Sequence, residues 1–456
     1  MLRTLPLPPC YPAPFVFFAV FGFCSSGAKA DESGGNVDQY PEVESQEKKA
    51  EKRPLLFRPE ATTDSPMVRH PEPAERSGAS AVSGRFFLPA VCDVSVTNAC
   101  NADCSFCSFA RSKGYSQPKA WIDAERFIDA LPIMHRRGIR HLTFQGGEPL
   151  LHPEITLLVS QASTAGMEVG VITNGFLLPQ QIQSLTQGGL SFLHVSIDSH
   201  SMATHERNRG LPGLGTRIRE GLAHARDAGV LTFASVTVSR LVDFQRLPLF
   251  LLDLGFEGIV FSYPRRENRA RSPLGFGAET PLTDYQGREL AAIYESIKKL
   301  KKIMPILNPT VGLEEMARRA RGEKERFPCV GGHKYFCLDW NLDIWRCEHW
   351  HEPLGSVFDL DRVPDTRDHC TACTINCYRD ASVLMHAGIV AGDAVQALAT
   401  GRIDLSIKLL SQKAFLLSLR AIADELPLIF RLRPKKRKVR QKKSDAGDEN
   451  IPTISG

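Results

Sequence analysis

Short runs of apolar and β-branched residues recur along the middle of the chain, and longer amphipathic stretches separate them. The short runs predict six strands, over residues 88–97, 141–145, 168–173, 192–198, 232–239 and 258–263. The stretches between them predict helices over residues 121–137, 152–165, 178–188, 214–228 and 244–254. These helices lead to glycines that suit the left-handed backbone position after a helix, namely Gly138, Gly166, Gly188, Gly229 and Gly255.

Strands that alternate with helices in this way form right-handed crossovers and a parallel sheet. Six such units are two short of a closed barrel, so the pattern predicts an α/β fold with a partial (βα)6 TIM-type barrel over residues 87–302, including a last helix at about 284–302. A small cysteine-rich metal-binding extension is predicted over 303–385, and C-terminal helices over 386–430, with helical periodicity from 389. Because chemistry in barrels gathers at the C-terminal ends of the strands, we expect the functional residues there.

The N-terminal part of the chain differs from the barrel region. Residues 1–86 begin like a secretory signal, with Arg3 before an apolar run at 15–24 and then SSGAKA, and continue as a polar stretch that is predicted to be disordered. Since thiolate-held clusters belong to a reducing compartment, we expect a cytoplasmic protein whose true start lies further along, with Met67 as a candidate. Export is the alternative interpretation.

The composition is that of a soluble globular protein, with 43% hydrophobic and 23% charged residues. The net charge of +5 is concentrated at 431–443, where nine residues are Lys or Arg, and the tail 431–456 is predicted to be disordered. The rest of the chain is close to neutral, which argues against nucleic acid as a partner. An apolar helix at 403–430 precedes the basic run, an order that suits peripheral contact with an anionic membrane, although packing in the core is the expected role of that helix.

Three of the twelve cysteines, Cys100, Cys104 and Cys107, form a C-x3-C-x2-C pattern directly after the first strand. Four cysteine thiolates usually hold a cubane iron–sulfur cluster, so three ligands on one loop leave one iron open to a small molecule. A structural zinc site is the alternative interpretation. Zinc sites normally pair C-x2-C units over a longer range, and no such partner lies near this loop.

The next three strands also end in residues that suit a ligand. The segment QGGEP contains Gly146 and Gly147, which let a ligand approach the backbone, and Glu148, which can accept hydrogen bonds from an ammonium group. The third strand ends in ITNG and the fourth in SID. These two ends supply small polar side chains suited to ribose or carboxylate contacts, namely Thr173, Asn174, Ser196 and Asp198.

In this order, the motifs resemble the radical S-adenosylmethionine (SAM) superfamily. Its fingerprint C-x3-C-x-aromatic-C is matched by the three cysteines together with Phe106, and the resemblance covers roughly residues 90–265. The resemblance implies that the cysteines hold a [4Fe-4S] cluster, whose open iron binds SAM, and that SAM is cleaved reductively to a 5′-deoxyadenosyl radical. It further implies that the backbone around Gly146, Gly147 and Glu148 contacts the methionine ammonium and that Phe106 lies near the adenine. Ser196 and Asp198 would then lie near the ribose or the carboxylate.

Six further cysteines lie in the second cysteine region: Cys329, Cys337, Cys347, Cys370, Cys373 and Cys377. The C-x2-C-x3-C group CTACTINC, on a predicted loop and completed by Cys329 or Cys347, predicts a second [4Fe-4S] cluster. Zinc is the alternative, and four histidines could then contribute, namely His333, His349, His351 and His369.

The same region resembles SPASM-type radical SAM enzymes. LGSV at 354–357 matches their LGN-like segment, whereas Leu342 stands where these enzymes usually have glycine. CTACTINCYRDASV is also similar to the cysteine region of relatives of adenosylhopane synthase, a resemblance that implies a polyprenoid lipid substrate.

Two classes of function follow from these patterns. The first is a radical SAM enzyme that receives electrons from a one-electron donor such as flavodoxin or ferredoxin. Its substrate would be either a peptide or protein side chain or a polyprenoid lipid. The alternative is a zinc-dependent module that binds nucleic acid or protein without radical chemistry, which leaves GGEP and the first cysteine group unexplained.

Overall fold

The computed structural model describes residues 88–110, 118–264, 272–275, 277 and 280–432. The predictions for the segment 1–86, for a start at Met67 and for the basic run from residue 433 onward fall outside these residues.

Six parallel strands form the barrel sheet, and each lies where the sequence predicts a strand. They are β1 Ala90–Thr97, β2 Ile139–Gly146, β3 Glu168–Thr173, β4 Phe192–Ile197, β5 Leu231–Thr237 and β6 Gly258–Ser262. The strands follow chain order in the sheet, and each pairs in parallel with the next. Because β6 forms one edge of the sheet and does not pair back with β1, the predicted partial barrel is confirmed.

The helices that connect the strands cover the outside of the sheet. They are α1 Ala124–Arg136, α2 Ile155–Thr164, α3 Leu178–Gln187, α4 Met202–Arg209, α5 Leu214–Asp227, α6 Leu247–Leu254, α7 Gly287–Leu300 and α8 Thr310–Ala320. The five predicted crossover helices and the predicted helix near 284–302 are confirmed. The sequence reading missed α4 and α8 as separate helices.

Helix α1 illustrates how the sequence determines these elements. Asp123 caps its start by accepting a hydrogen bond from the Arg126 backbone N–H at 2.9 Å. Phe127, Leu131 and Met134 lie on one face and are buried against the sheet. Gly138 then takes the left-handed conformation that returns the chain to β2, with φ of 96°.

The predicted position of one such glycine is wrong. Gly188 has φ of −71° and continues the right-handed backbone of α3 by one residue. Gly189, with φ of 94°, makes the left-handed turn instead. Two adjacent glycines are equally able to make this turn, so the sequence pattern alone does not distinguish them.

Three short strands extend the barrel sheet beyond β1. They are β7 Tyr335–Leu338, β8 Asp343–Trp345 and β9 Gly355–Ser356, and β7 pairs in parallel with β1. Between β7 and β8 the chain turns at Leu342, which has φ of 67° although it is not a glycine. The position where SPASM-type enzymes usually have glycine thus has a left-handed backbone in this chain.

Three helices end the described chain: α9 Asn376–Ala399, α10 Ile403–Leu410 and α11 Lys413–Arg431. The predicted helical region from 389 is confirmed, but α9 begins earlier, at Asn376. By length and composition α9 could cross a membrane, yet 56% of its most apolar window is buried inside the protein. Tyr378, Ala381 and Met385 join the main core, so α9 is a core helix.

Candidate active site

The first cysteine group lies on the loop between β1 and α1, at the C-terminal end of the barrel. Cys104 is buried, and Cys100 and Cys107 are partly exposed. The Cys107 N–H donates to the Cys104 carbonyl oxygen at 3.2 Å, and the Ala102 N–H donates to the Cys100 Sγ at 3.4 Å. These bonds fold the loop so that its thiols border one cavity.

The GGE segment at the end of β2 lies directly against this cysteine loop. The Gly147 N–H donates to the Thr97 carbonyl oxygen, and the Glu148 N–H to the Ala99 carbonyl oxygen, both at 2.8 Å. A Cβ on Gly147 would lie 2.1 Å from the Ala99 oxygen, and one on Gly146 would lie 2.2 Å from the Thr97 oxygen. The two glycines are therefore required by the close approach of the chain's own backbone.

The Glu148 carboxylate links this segment to the end of β3. It accepts hydrogen bonds from the Thr173 hydroxyl at 2.6 Å and from the Asn174 N–H at 2.7 Å. Asn174 in turn donates through its side chain to Asn101 Oδ1, within the cysteine loop, at 2.7 Å. The ends of β1, β2 and β3 thus form one hydrogen-bonded frame, with burial raising the pKa of Glu148.

Asp198 follows β4, as predicted, but it does not line the cavity. Its carboxylate accepts from Arg209 Nε at 2.8 Å and Nη2 at 2.6 Å, and from Asn208 Nδ2 at 2.9 Å. This bidentate pair is buried, and it is Arg209 that lines the cavity. The prediction that Asp198 itself contacts ribose or carboxylate is therefore not supported by its position.

The end of α4 also holds the cysteine loop in place. The Asp103 N–H donates to the Arg209 carbonyl oxygen at 2.8 Å, and the Ser105 hydroxyl donates to Asn208 Oδ1 at 2.6 Å. Sequence reasoning missed Arg209 because it missed α4. Ser201, which caps the helix, and Gly210, which ends it with φ of 60°, are signals that could have revealed it.

The other predicted residues converge on a cavity of about 270 Å³. Its outer part is lined by the three cysteines, Phe106, Gly146, Gly147, Glu148, Thr173, Asn174 and Ser196. Such a concave cavity, mostly apolar with a few convergent polar groups, is typical of a small-molecule site.

The thiols at the cavity fit a metal cluster by their chemistry. Burial raises the pKa of both Cys100 and Cys104 to about 12, and the neighbouring cysteines act in the same direction. Only the thiolate binds metal, so these groups need positive charge to lose their protons. Arg209 lowers both pKa values, and a metal cluster would supply the remaining charge.

The inner end of the cavity is apolar. Phe192, Phe233 and Val260 line it from the strands, and Leu307 and Leu384 close it from the C-terminal half. This lining suits hydrocarbon more than a charged or strongly hydrated group.

One histidine lies among these apolar side chains. His194 lies between Phe192 and Phe233, with ring centroids 5.5 and 5.3 Å away. Burial lowers its pKa to about 4, so the ring is neutral, and its Nδ1 has no hydrogen-bond partner within the described residues. The His194 ring therefore borders the cavity.

Two carboxyl groups with unusual pKa values face the same cavity. Asp93 on β1 accepts a hydrogen bond from the Tyr335 hydroxyl at 2.8 Å, and burial raises its pKa to about 7. Asp380 on α9 accepts from the Tyr263 hydroxyl at 2.8 Å, and burial raises its pKa to about 7 as well. Groups that titrate near neutral pH in a cavity are candidates for proton exchange with a substrate.

In the second cysteine region, four thiols lie close together. They are Cys329, Cys347, Cys370 and Cys373. Burial raises the pKa values of Cys329, Cys347 and Cys373, and charges on neighbouring thiols of the group add to that rise. The Cys329 N–H donates to the Cys370 carbonyl oxygen at 2.9 Å.

Two buried arginines lie beside these four thiols. Arg346 forms a bidentate pair with Asp368, both bonds at 2.5 Å. Arg379 donates to the Phe327 carbonyl oxygen at 2.7 Å and pairs with Glu325. Both arginines lower the pKa of Cys329 and so offset part of the effect of burial, which raises it.

The remaining two cysteines have other positions. Cys377, which the sequence predicts as a metal ligand on a loop, lies in the first turn of α9 and lines the main cavity. Cys337 is buried, with its Sγ 2.8 Å from the Tyr378 hydroxyl. The sequence pattern predicted Cys377 as a ligand, completed by either Cys329 or Cys347. The four-thiol group instead contains both Cys329 and Cys347 and lacks Cys377.

The histidines weighed for zinc have other roles. His333 lies 3.1 Å from the Asp365 carboxylate, and His351 is half-exposed beside Glu352. In the part of the chain that the structure describes, no three or more His, Cys, Asp or Glu side chains surround a single metal-ion position. A four-iron cube holds its thiolates further apart than one ion does.

Comparison with known proteins agrees with this geometry. Residues 94–242 match the family model described as the radical SAM superfamily. The chain is 30% identical over 334 residues to a probable GTP 3′,8-cyclase of Aeropyrum pernix, covering 68% of this chain and 88% of that enzyme. The chain belongs to the radical SAM superfamily. Membership confirms the predicted class of enzyme and implies a [4Fe-4S] cluster and SAM.

Other members of the superfamily match over shorter stretches. An AdoMet-dependent heme synthase of Nitratidesulfovibrio vulgaris is 29% identical over 147 residues, 32% of this chain and 39% of that enzyme. The chain spans less than half the length of several relatives that it matches. A solved structure of anSMEcpe with bound AdoMet overlaps 75% of this chain and 98% of its own, with 12% identity and a TM-score of 0.45.

Proposed function

We propose that this chain binds a [4Fe-4S] cluster through Cys100, Cys104 and Cys107 and uses SAM to modify a substrate held inside the barrel. When bound, the cluster supplies the electron that cleaves SAM and releases a 5′-deoxyadenosyl radical. The supporting observation is that the cysteine loop, the GGE segment and the end of β3 meet at one cavity through direct hydrogen bonds.

The chain's own residues position the reactants. The frame around Glu148 fixes the backbone that faces the methionine end of SAM, and Phe106 offers an aromatic surface for adenine. Arg209, held by Asp198, places a guanidinium beside the cysteine thiolates and is suited to pair with the SAM carboxylate. We therefore assign to Asp198 a positioning role, exerted through Arg209.

For the substrate, the inner cavity favours a molecule rich in hydrocarbon over a peptide side chain. Phe192, Phe233 and Leu307 line the same cavity as the three cysteines and offer apolar contact to a substrate. Asp93 and Asp380 can exchange protons there, because their pKa values lie near neutral. A polyprenoid lipid is the substrate class that agrees best with this lining.

We further propose that Cys329, Cys347, Cys370 and Cys373 hold a second [4Fe-4S] cluster. Four thiolates are the usual ligand set for a cubane, and Arg346 and Arg379 supply compensating charge. Because SAM cleavage requires one electron, we propose a one-electron donor such as flavodoxin or ferredoxin. Because thiolate-held clusters belong to a reducing compartment, we propose a cytoplasmic location.

The test of the main proposal is anaerobic reconstitution with iron and sulfide, followed by dithionite and SAM. The expected product is 5′-deoxyadenosine, and Cys104→Ala should abolish it. Cys92→Ala removes a buried thiol on β1 that is not at the cavity, and it should retain product formation. Activity in Cys104→Ala equal to wild type would refute the assignment.

The second cluster is tested in a variant with Cys100, Cys104 and Cys107 all replaced by Ala. This variant should keep about four irons and four sulfides per chain, and additional replacement of Cys370 and Cys373 should remove them. Zinc in place of iron, measured by elemental analysis of protein purified without reconstitution, would instead identify a structural zinc site.

A further inference from the structure

Large apolar side chains are exposed mainly in one part of this molecule. Among the described residues, twelve large hydrophobic side chains are exposed, and seven of them fall within residues 395–419. These seven are Val395, Leu398, Ile403, Ile407, Leu410, Leu416 and Leu419. Single exposed apolar residues are ordinary, but such a concentration indicates a surface with a partner.

The helical spacing places these side chains on consistent faces. On α10, Ile403, Ile407 and Leu410 follow one another at intervals of four and three residues, so they share one face of the helix. Ile403 and Ile407 are 61% and 64% exposed, which means that packing among the described residues does not account for them. Leu416 and Leu419 repeat the three-residue spacing on α11.

Positive charge accompanies the apolar face. Arg402, Lys408 and Lys413 are exposed, and Asp404 is the one acidic residue between 400 and 413. Further along the sequence, residues 431–443 contain nine Lys or Arg and no acidic residue. Apolar residues on a helix with adjacent basic residues are typical of segments that lie in the interface of an anionic bilayer.

We propose that α10 and the start of α11 form a membrane-docking surface that binds the headgroup region of an anionic lipid bilayer. Ile403, Ile407 and Leu410 enter the boundary between headgroups and acyl chains. Arg402, Lys408 and Lys413 pair with lipid phosphates. The contact is peripheral, because α9, which could span a bilayer by length and composition, is mostly buried in the protein core.

This surface is independent of the proposed reaction and of its cofactors. Together, the two proposals place a chain with a partly apolar cavity at the membrane, in which hydrocarbon-rich substrates are dissolved. The membrane surface nevertheless depends only on the exposed helices and the basic residues beside them, and vesicle binding is measured without SAM or iron.

The experiment is flotation of the purified full-length protein with vesicles of phosphatidylcholine, with or without phosphatidylglycerol. We expect binding to vesicles that contain phosphatidylglycerol, and release of the protein at high salt. The double variant Ile403→Ser/Ile407→Ser should lower the partition coefficient at least about tenfold.

A matched control comes from another exposed apolar pair. Leu249 and Leu252 on α6 are 67% and 45% exposed, and the variant Leu249→Ser/Leu252→Ser should bind vesicles like the wild type. Formation of 5′-deoxyadenosine should be unchanged in both double variants, so loss of lipid binding is distinguishable from loss of the reaction.

Three results would overturn the proposal. The first is equal binding by wild type and by Ile403→Ser/Ile407→Ser. The second is an absence of binding to anionic vesicles. The third is the finding, by light scattering, that the wild type is a dimer, that Ile403→Ser/Ile407→Ser is a monomer, and that neither binds vesicles. That result would assign the apolar face to a contact with a second copy of this chain.

Discussion

Replacing Gly147 with alanine should separate the two loops that form the candidate active site. The new Cβ would lie 2.1 Å from the Ala99 carbonyl oxygen, whereas ordinary van der Waals contact starts at 3.4 Å. The loops must therefore move apart by roughly 1 Å, which stretches the 2.8 Å bonds from Gly147 and Glu148 beyond hydrogen-bond range. Losing two buried backbone bonds costs about 2–4 kcal/mol of unfolding free energy.

That loss is smaller than the stability of an ordinary domain, so Gly147→Ala should still fold. Its reconstituted iron content and its formation of 5′-deoxyadenosine should fall, because Cys100 and Glu148 no longer keep their spacing. The assay combines urea unfolding followed by circular dichroism with iron analysis and product quantification.

Gly188→Ala is the matched control for this prediction. Gly188 has φ of −71°, and a Cβ there would meet nothing closer than 3.3 Å, so alanine should leave stability and iron content nearly unchanged. Wild-type iron content and wild-type product formation in Gly147→Ala would refute the claim that the loop contact requires glycine.

Three further predictions concern charge and backbone conformation. Asp198→Asn leaves the buried Arg209 without its charge partner and should lower the free energy of unfolding in urea by about 3 kcal/mol. Asp253→Asn, in an exposed pair with Arg219, should lower it by less than about 1 kcal/mol. Equal losses in the two variants would contradict the role of burial. Because burial raises the pKa of Asp93 to about 7, wild-type stability should decline as pH rises from about 4 to about 7. Asp93→Asn should show a smaller fall in melting temperature between pH 5 and pH 8 than the wild type, since Asp380 still titrates near 7. In urea unfolding, Leu342→Gly should be about 0.5–1 kcal/mol more stable than Leu342→Ala. Both variants remove a buried side chain, but only glycine readily adopts the φ of 67° found at this position. The opposite order of stability would argue against backbone strain at residue 342.

The sequence was sufficient for the barrel because its strands are strongly marked. In β1 all eight residues are buried and five of them are apolar, which is typical of a parallel strand covered on both faces. The order of the cysteine loop, the GGE segment and ITNG along the chain also gave their meeting point, since parallel strands end at one edge of the sheet.

Contacts between side chains were harder to predict from the sequence. Short strand-end motifs named Asp198 but not its partner Arg209, because α4 is eight residues long and mostly polar, with weak helical periodicity. The start of α9 was read as a loop because Cys377, Arg379 and Asp380 do not resemble a core helix. Arg379 is buried and Cys377 and Asp380 are partly buried through tertiary contacts, which sequence periodicity does not encode.

Pairing between β1 and β7 makes the cysteine-rich region part of the barrel sheet. Without β7, the whole length of β1 would be an unprotected edge, with free N–H and C=O groups beside an apolar strand, and such edges promote aggregation. In the full chain, the sheet ends instead at β9, which has two residues and offers little template for another molecule. A barrel shortened to residues 87–302 should therefore be insoluble, and the two cysteine regions must be inherited together.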